Sequence, residues 1–237
     1  MPTGEQNEKT IAFVLYPGLT PFDLTGPLQV LTALSEISPE YRTVVVGERV
    51  ETMESDIPAL RMIPNKTFEE VPQPFAFIVP GGVIPTIRAM GNAAIRSYVN
   101  SAAETAEVVG SVCTGACILA SAGLLEGRQA TTHWAFHKVL EQFGAKYVRK
   151  RWVEDGKFIT SAGVAAGVDM ALQLAARLTD EQKARQVQYR LGYDPEPPFG
   201  GIDYEHIGLQ LGTARTVVSL AAPVIAAKPK RLTRQGR

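Results

Sequence analysis

The sequence predicts an α/β fold, a mostly parallel sheet covered by helices on both faces. Three observations predict it. Continuous apolar runs recur at residues 11–15 and 75–79, and Val108-Val109-Gly110-Ser111-Val112 reads as a further strand; such runs mark strands buried on both faces. Each run ends on turn-forming or small residues: Tyr16-Pro17-Gly18, Pro80-Gly81-Gly82, and Cys113-Thr114-Gly115. Stretches with helical spacing lie between them, and strands that alternate with helices imply parallel pairing through crossover connections.

The elements follow in order. Residues 1–10 read as a loose leader. Residues 11–15 form the first buried strand. Thr25-Gly26-Pro27 opens a helix, with Pro27 near its first position and Leu28, Val30, Leu31 and Leu34 on its apolar side. Thr43-Val44-Val45-Val46 is a second strand, and residues 47–66 suggest a hairpin excursion. After the strand at 75–79, residues 92–104 carry helical spacing through Ile95, Tyr98 and Val99. The strand at 108–112 leads into a small-residue helix through Leu125. Residues 132–143 read as a helix stopped by Gly144. Short strands around Trp152-Val153 and Phe158-Ile159 flank the turn at 154–157. Residues 168–178 and 180–191 read as two helices. Residues 192–201, with three prolines and three glycines, form an irregular excursion. A further helix is expected over 205–227. Residues 228–237, with five basic and no acidic side chains, read as a solvated, disordered tail.

Composition narrows the functional classes. The 237 residues fit one large domain over the whole chain and can bury a core without disulfide or metal staples. The chain is 45% hydrophobic and 20% charged, as an ordinary globular protein is. Basic and acidic side chains number 24 each, and the pI is about 6.8. That balance removes the main electrostatic argument for binding nucleic acid or a membrane surface. The polar N-terminus has no apolar signal core, and no apolar run reaches membrane-spanning length. Two cysteines and three scattered histidines support neither a disulfide scaffold nor a Cys-rich zinc site. The expectation is a cytoplasmic protein with free thiols, no metal and no cofactor.

The segment Gly110-Ser111-Val112-Cys113-Thr114-Gly115 carries the strongest chemical signal. A buried strand ends at a nucleophile type, small residues flank it, and a helix starts at once. This is the layout of a nucleophile elbow with Cys in place of Ser. A helix N-terminus favours an anion, and the thiolate is the reactive form. Lowering a thiol pKa from about 8.5 to about 6 takes roughly 3.4 kcal/mol. The plainer alternative for Cys113 is a buried, inert core cysteine. Cys117, one turn on, reads as core packing. Pro80-Gly81-Gly82 ends a strand on the rim where ligands bind open parallel sheets. There Gly81 and Gly82 can bring N–H groups close to a substrate, as an oxyanion hole requires, or can serve only a turn. Asp23 lies on the same rim and reads either as a helix cap or as an acid/base partner of the cysteine. His133 reads as an activator of the thiol or as a packed histidine. His137 is expected to be exposed, and His206 falls in a poorly defined region.

At these residues the chain resembles the ThiJ/PfpI superfamily, and within it the isocyanide hydratase branch. The matching stretches are residues 13–31 with Asp-Leu-Thr-Gly-Pro, Val79-Pro80-Gly81-Gly82, Ser111-Val112-Cys113-Thr114-Gly115, residues 122–127, 130–134, 163–169 and 193–199. The resemblance implies a flavodoxin-like three-layer sandwich and a homodimer. It also implies Cys113 as nucleophile, Asp23 as essential acid/base, and Thr114 as a neighbour in contact with the site. Protease-like relatives carry His directly after the cysteine, where this chain has Thr114. Glyoxalase-like relatives carry Glu where Asp23 stands, so the shorter acid points to the hydratases. Ser161-Ala162-Gly163 departs from the expected glycine-rich run. The activity implied is addition of water to an isocyanide, through a thioimidate on Cys113, to give an N-substituted formamide. The alternatives are a glyoxalase or deglycase acting on small dicarbonyls, and a cysteine-based sensor of oxidation or small molecules without turnover.

Overall fold

The computed structural model describes residues 8–204. The expected helix over 205–227, the basic tail, His206 and residues 1–7 lie outside them. The first strand, β1 (Lys9–Val14), starts two residues before its apolar run. Helix α1 (Pro21–Ile37) also starts early. Pro21 rather than Pro27 takes its first position, where a missing N–H costs nothing. Pro27 lies inside the helix and cannot bond the carbonyl four residues back, that of Asp23.

The chain continues through β2 (Tyr41–Gly47). A small antiparallel pair follows, β3 (Met53–Glu54) with β4 (Arg61–Met62), and then the edge strand β5 (Lys66–Thr67). This is the excursion expected between 47 and 66. Strand β6 (Ala76–Val79) leads to α2 (Ile84–Gly91), a helix the sequence did not announce, and to α3 (Ala93–Thr105), which is capped by the Asn92 side chain. Strand β7 (Val108–Val112) precedes α4 (Gly115–Ser121), which stops short of Leu125. The helix expected over 132–143 is broken. A two-stranded parallel pair, β8 (Gln129–Ala130) with β9 (Lys146–Tyr147), brackets a 3-10 turn (Trp134–Phe136) and the short helix α5 (His137–Gln142). The hairpin of β10 (Trp152–Asp155) and β11 (Phe158–Ser161) turns at Gly156, as expected, and α6 (Ala166–Leu178) and α7 (Glu181–Leu191) follow.

The main sheet has seven strands in the order β10-β11-β7-β6-β1-β2-β5, parallel throughout except for the β10–β11 pair. Helices α1, α6 and α7 pack together on one side, and α2 to α5 form the other group of contacts. The result is a three-layer sandwich. Its central strands are the apolar runs: Ile11, Phe13, Phe77, Ile78 and Val109 are completely buried. At about 25 cal/mol per Å2 of apolar surface, such burial is the dominant favourable term.

The order of strands places the site. From β1 the chain moves outward to β2 and β5, then returns to β6 on the other side of β1 and continues to β7 and β11. The crossover therefore reverses between β1 and β6. In open parallel sheets the crevice beyond the carboxyl ends at such a reversal is where ligands bind. Asp23 follows β1, Gly81 and Gly82 follow β6, and Cys113 follows β7.

Candidate active site

Cys113 stands on a sharp bend between β7 and α4, with a left-handed φ of +56°. A non-glycine residue rarely holds this conformation, and the surroundings fix it here. The Cys113 N–H donates to the Ser161 carbonyl at 3.0 Å, and its own carbonyl accepts from the Thr132 hydroxyl at 2.9 Å. The small neighbours are required by contact. A Cβ on Gly115 would lie 2.0 Å from the Val79 carbonyl oxygen, and one on Gly81 would lie 2.6 Å from both the N and Oγ1 of Thr114. The elbow legible in the sequence is therefore present.

Asp23 does not cap α1. Thr20 holds the cap position, and Asp23 sits in the first turn, completely buried. Its Oδ2 accepts from the Gly81 N–H at 3.1 Å, while Oδ1 has no hydrogen-bond partner. Burial raises its pKa to about 7; interaction with the Cys113 thiol and the Gly81 N–H pull the other way. The carboxyl and the thiol thus face each other across the crevice, without a well-aligned bond satisfying Oδ1.

The thiol departs from the sequence expectation. Cys113 is 2% exposed, and burial pushes its pKa up, with the charge of Asp23 adding to the effect. The Thr114 N–H acts in the opposite direction and does not prevail. Helix α4 has only seven residues, too short a dipole to offset full desolvation. The resting pair is accordingly a neutral thiol beside a carboxyl that titrates near neutrality.

Both N–H groups expected to meet substrate are held inside the protein. Gly81 donates to Asp23, and Gly82 donates to Thr114 Oγ1 at 3.0 Å. Thr114 is fully buried. Its hydroxyl bonds Thr86 Oγ1 at 2.7 Å, Thr86 bonds the Tyr16 hydroxyl at 3.2 Å, and Tyr16 donates to the Pro80 carbonyl at 3.0 Å. Donor counting fixes the direction of this chain. An amide N–H only donates, a carbonyl only accepts, and each hydroxyl carries one hydrogen. The order is therefore Gly82 N–H to Thr114, Thr114 to Thr86, Thr86 to Tyr16, and Tyr16 to Pro80. Thr114 spends its hydrogen inside this chain.

Cys117 is core, as expected. It is completely buried, its Sγ lies 3.8 Å from Thr132 Oγ1, and burial raises its pKa to about 12. The groups that shift the Cys113 thiol are Asp23, Thr114 and Cys117, and His133 is not among them. Its ring accepts from the Ala135 N–H at 3.4 Å, and burial lowers its pKa. His137, expected to be exposed, is half-buried with Nδ1 2.7 Å from the Trp134 carbonyl. Beside the elbow lies a cavity of about 450 Å3. Thr132 lines it, as do His133, Trp134, Tyr147, Arg149 and Val164. Cys113 is not in its wall but one residue behind two of its segments, those of Thr132 and Ala162.

A three-layer α/β sandwich with a cysteine on the strand-to-helix bend and a carboxyl across from it defines a class, and the chain belongs to the DJ-1/PfpI family, whose model matches residues 9–177. It is 40% identical to isonitrile hydratase of Pseudomonas putida over 191 residues, 80% of each chain. It is 33% identical to a deglycase of Thermococcus kodakarensis over 96 residues, 40% of this chain and 57% of the relative. A crystal structure of a ThiJ/PfpI family protein from Pseudomonas syringae superimposes with a TM-score of 0.84 at 32% identity, covering 92% of this chain and 90% of that one. Among the described residues no helix is long and apolar enough to cross a membrane, and no cluster of His, Cys, Asp and Glu could hold a metal ion.

Proposed function

We propose that this chain is an isocyanide hydratase that forms N-substituted formamides, with Cys113 as nucleophile and Asp23 as the group that carries its proton. The observation that carries the reading is the buried Asp23–Cys113 pair, which follows the two strands on either side of β6. The 40% identity with an isonitrile hydratase supports it; isonitrile and isocyanide name the same group.

The raised thiol and the near-neutral carboxyl suggest how the reaction runs. In the pair's one-proton state the proton rests on sulfur, because burial and the Asp23 charge disfavour the thiolate. As the isocyanide carbon approaches, Asp23 takes the thiol proton and sulfur bonds to carbon. Asp23 then returns the proton to that carbon, giving a thioimidate, R–N=CH–S–Cys113. Water adds across the C=N bond, oxygen to carbon and hydrogen to nitrogen. The carbon–sulfur bond breaks, the formamide leaves, and the hydroxyl proton restores the thiol. The Gly81 N–H holds Asp23 Oδ2, leaving Oδ1 as the oxygen that accepts and returns the proton. Thr114, Gly82 and the hydroxyl chain support the bend, and a homodimer is part of the reading.

Mass spectrometry of the protein mixed with an aryl isocyanide tests this directly. A covalent adduct on Cys113 and formamide release are expected; wild-type turnover by Cys113→Ala would reject the nucleophile. The partial match to a deglycase supports a second reading, action on small dicarbonyls. Assay of methylglyoxal beside an isocyanide separates the two.

A further inference from the structure

We infer that the cavity beside the elbow selects substrates whose substituent joins an apolar or aromatic body to an anionic group, with Arg149 and Lys150 as the charge that recognises it. The inference rests on the hydratase reading for the reaction that follows, but not for the binding itself.

The cavity lies over the carboxyl end of β11, next to β7. Its volume, about 450 Å3, is that of a small-molecule site. Two of its walls touch the elbow. Thr132 donates to the Cys113 carbonyl, and the wall that starts at Ala162 follows Ser161, which accepts the Cys113 N–H. A body held there lies beside the Cys113 backbone.

The wall chemistry gives the class. Val164, Ala165 and Ala166 supply an apolar floor, and Trp134, Tyr147 and Tyr204 supply aromatic faces. Arg149, Lys150 and Arg151 supply three consecutive cations, and among the described residues no acidic side chain lines the cavity. Arg151 is already engaged. Its Nε donates to Asp169 Oδ2 at 2.6 Å, its Nη2 reaches the same oxygen, and the Tyr193 hydroxyl donates to Oδ1 at 2.8 Å. This clamp neutralises Arg151 and fixes that wall. Arg149 and Lys150, both exposed, are the other two cations of the lining. An aromatic body with a carboxylate matches floor, faces and rim together.

Calorimetry with two product-shaped, unreactive probes tests the inference. These are 4-formamidobenzoate and formanilide, which differ only in the carboxylate. The carboxylate probe is expected to bind about fivefold tighter or better at low salt, as one or two partly exposed charge pairs allow. The preference shrinks as salt is added. It disappears in an Arg149→Ala/Lys150→Ala double variant and reverses in Lys150→Glu, while both substitutions leave buried side chains untouched. Equal affinity for the two probes, or a preference the double variant keeps, overturns the inference. Turnover of the matching aryl isocyanides is measured in parallel. Turnover of both with no carboxylate preference removes the cavity assignment and keeps the hydratase. A carboxylate preference in binding with no turnover of either removes the hydratase and keeps the cavity assignment.

Discussion

Asp23 exchanges a proton under conditions where an ordinary aspartate would not. Its pKa rises from 3.8 to about 7, through burial first. In the proposed reaction the carboxylate must be free to take the thiol proton. The expected pH profile of kcat/KM therefore climbs through about 7 as Asp23 ionises, and both limbs belong to the Asp23–Cys113 pair rather than to one group. Asp23→Asn should lower turnover by about 10²-fold or more and erase the acid limb. A retained limb in that variant would place it on another group. The same shift has a cost in stability. Between about 4 and 7 the unfolded chain has released the Asp23 proton while the folded chain keeps it. Folding stability thus falls as pH rises across that window and levels off above it. Asp23→Asn should melt higher than the wild type above pH 7 and gain up to roughly 4 kcal/mol, a difference that vanishes at acid pH. Thr86 supplies a finer test. Thr86→Val breaks the chain that holds Gly82 beside Gly81, so Asp23 should lose part of its N–H bond and the acid limb should move upward. Thr86→Ser should restore it. An unmoved limb in Thr86→Val would reduce Thr86 to packing. Of these residues, Cys113 and Asp23 were legible in the sequence because they follow buried strands. Tyr16 and Thr86 were not, since the partners of Tyr16 lie 64 and 70 positions away. Nor was the direction of the thiol shift, because burial depth is a property of the packed molecule.

At the scale of elements, the apolar runs gave the strands correctly because each is sheathed on both faces, where period-2 alternation has no reason to appear. Helix α2 escaped because it follows closely on the turn formers Pro80-Gly81-Gly82, although its own Pro85 takes an early helical position where proline is tolerated. The helix expected over 132–143 failed locally. The His133 side chain caps Trp134–Phe136 as a tight 3-10 turn, and the regular helix starts only at His137. The crossing of α4 over β6 turns on Gly115. Gly115→Ala drives a methyl into the Val79 carbonyl, which is backbone and cannot yield. It should cost more than about 4 kcal/mol or prevent folding. Gly91→Ala, with nothing within 4 Å of the added atom, should melt within a few degrees of wild type. Equal melting of the two variants would refute the contact argument.

At the scale of the molecule, composition identified a globular chain, and the order of strands then set three distant segments on one rim. The charge balance says little about self-association, and the expected homodimer is a matter for light scattering. A mass near twice the 25.6 kDa of the chain is the expected result; a monomer at assay concentration would remove dimerisation from the reading.

A sulfur that keeps its proton is chemically quiet. Peroxide and alkylating reagents consume thiolates, so Cys113 should survive in oxidising surroundings that destroy an acidic cysteine, and iodoacetamide should label it slowly at neutral pH. The same reticence makes it a poor alarm for oxidants. Its reactivity is held in reserve until a guest arrives with a carbon ready to receive it.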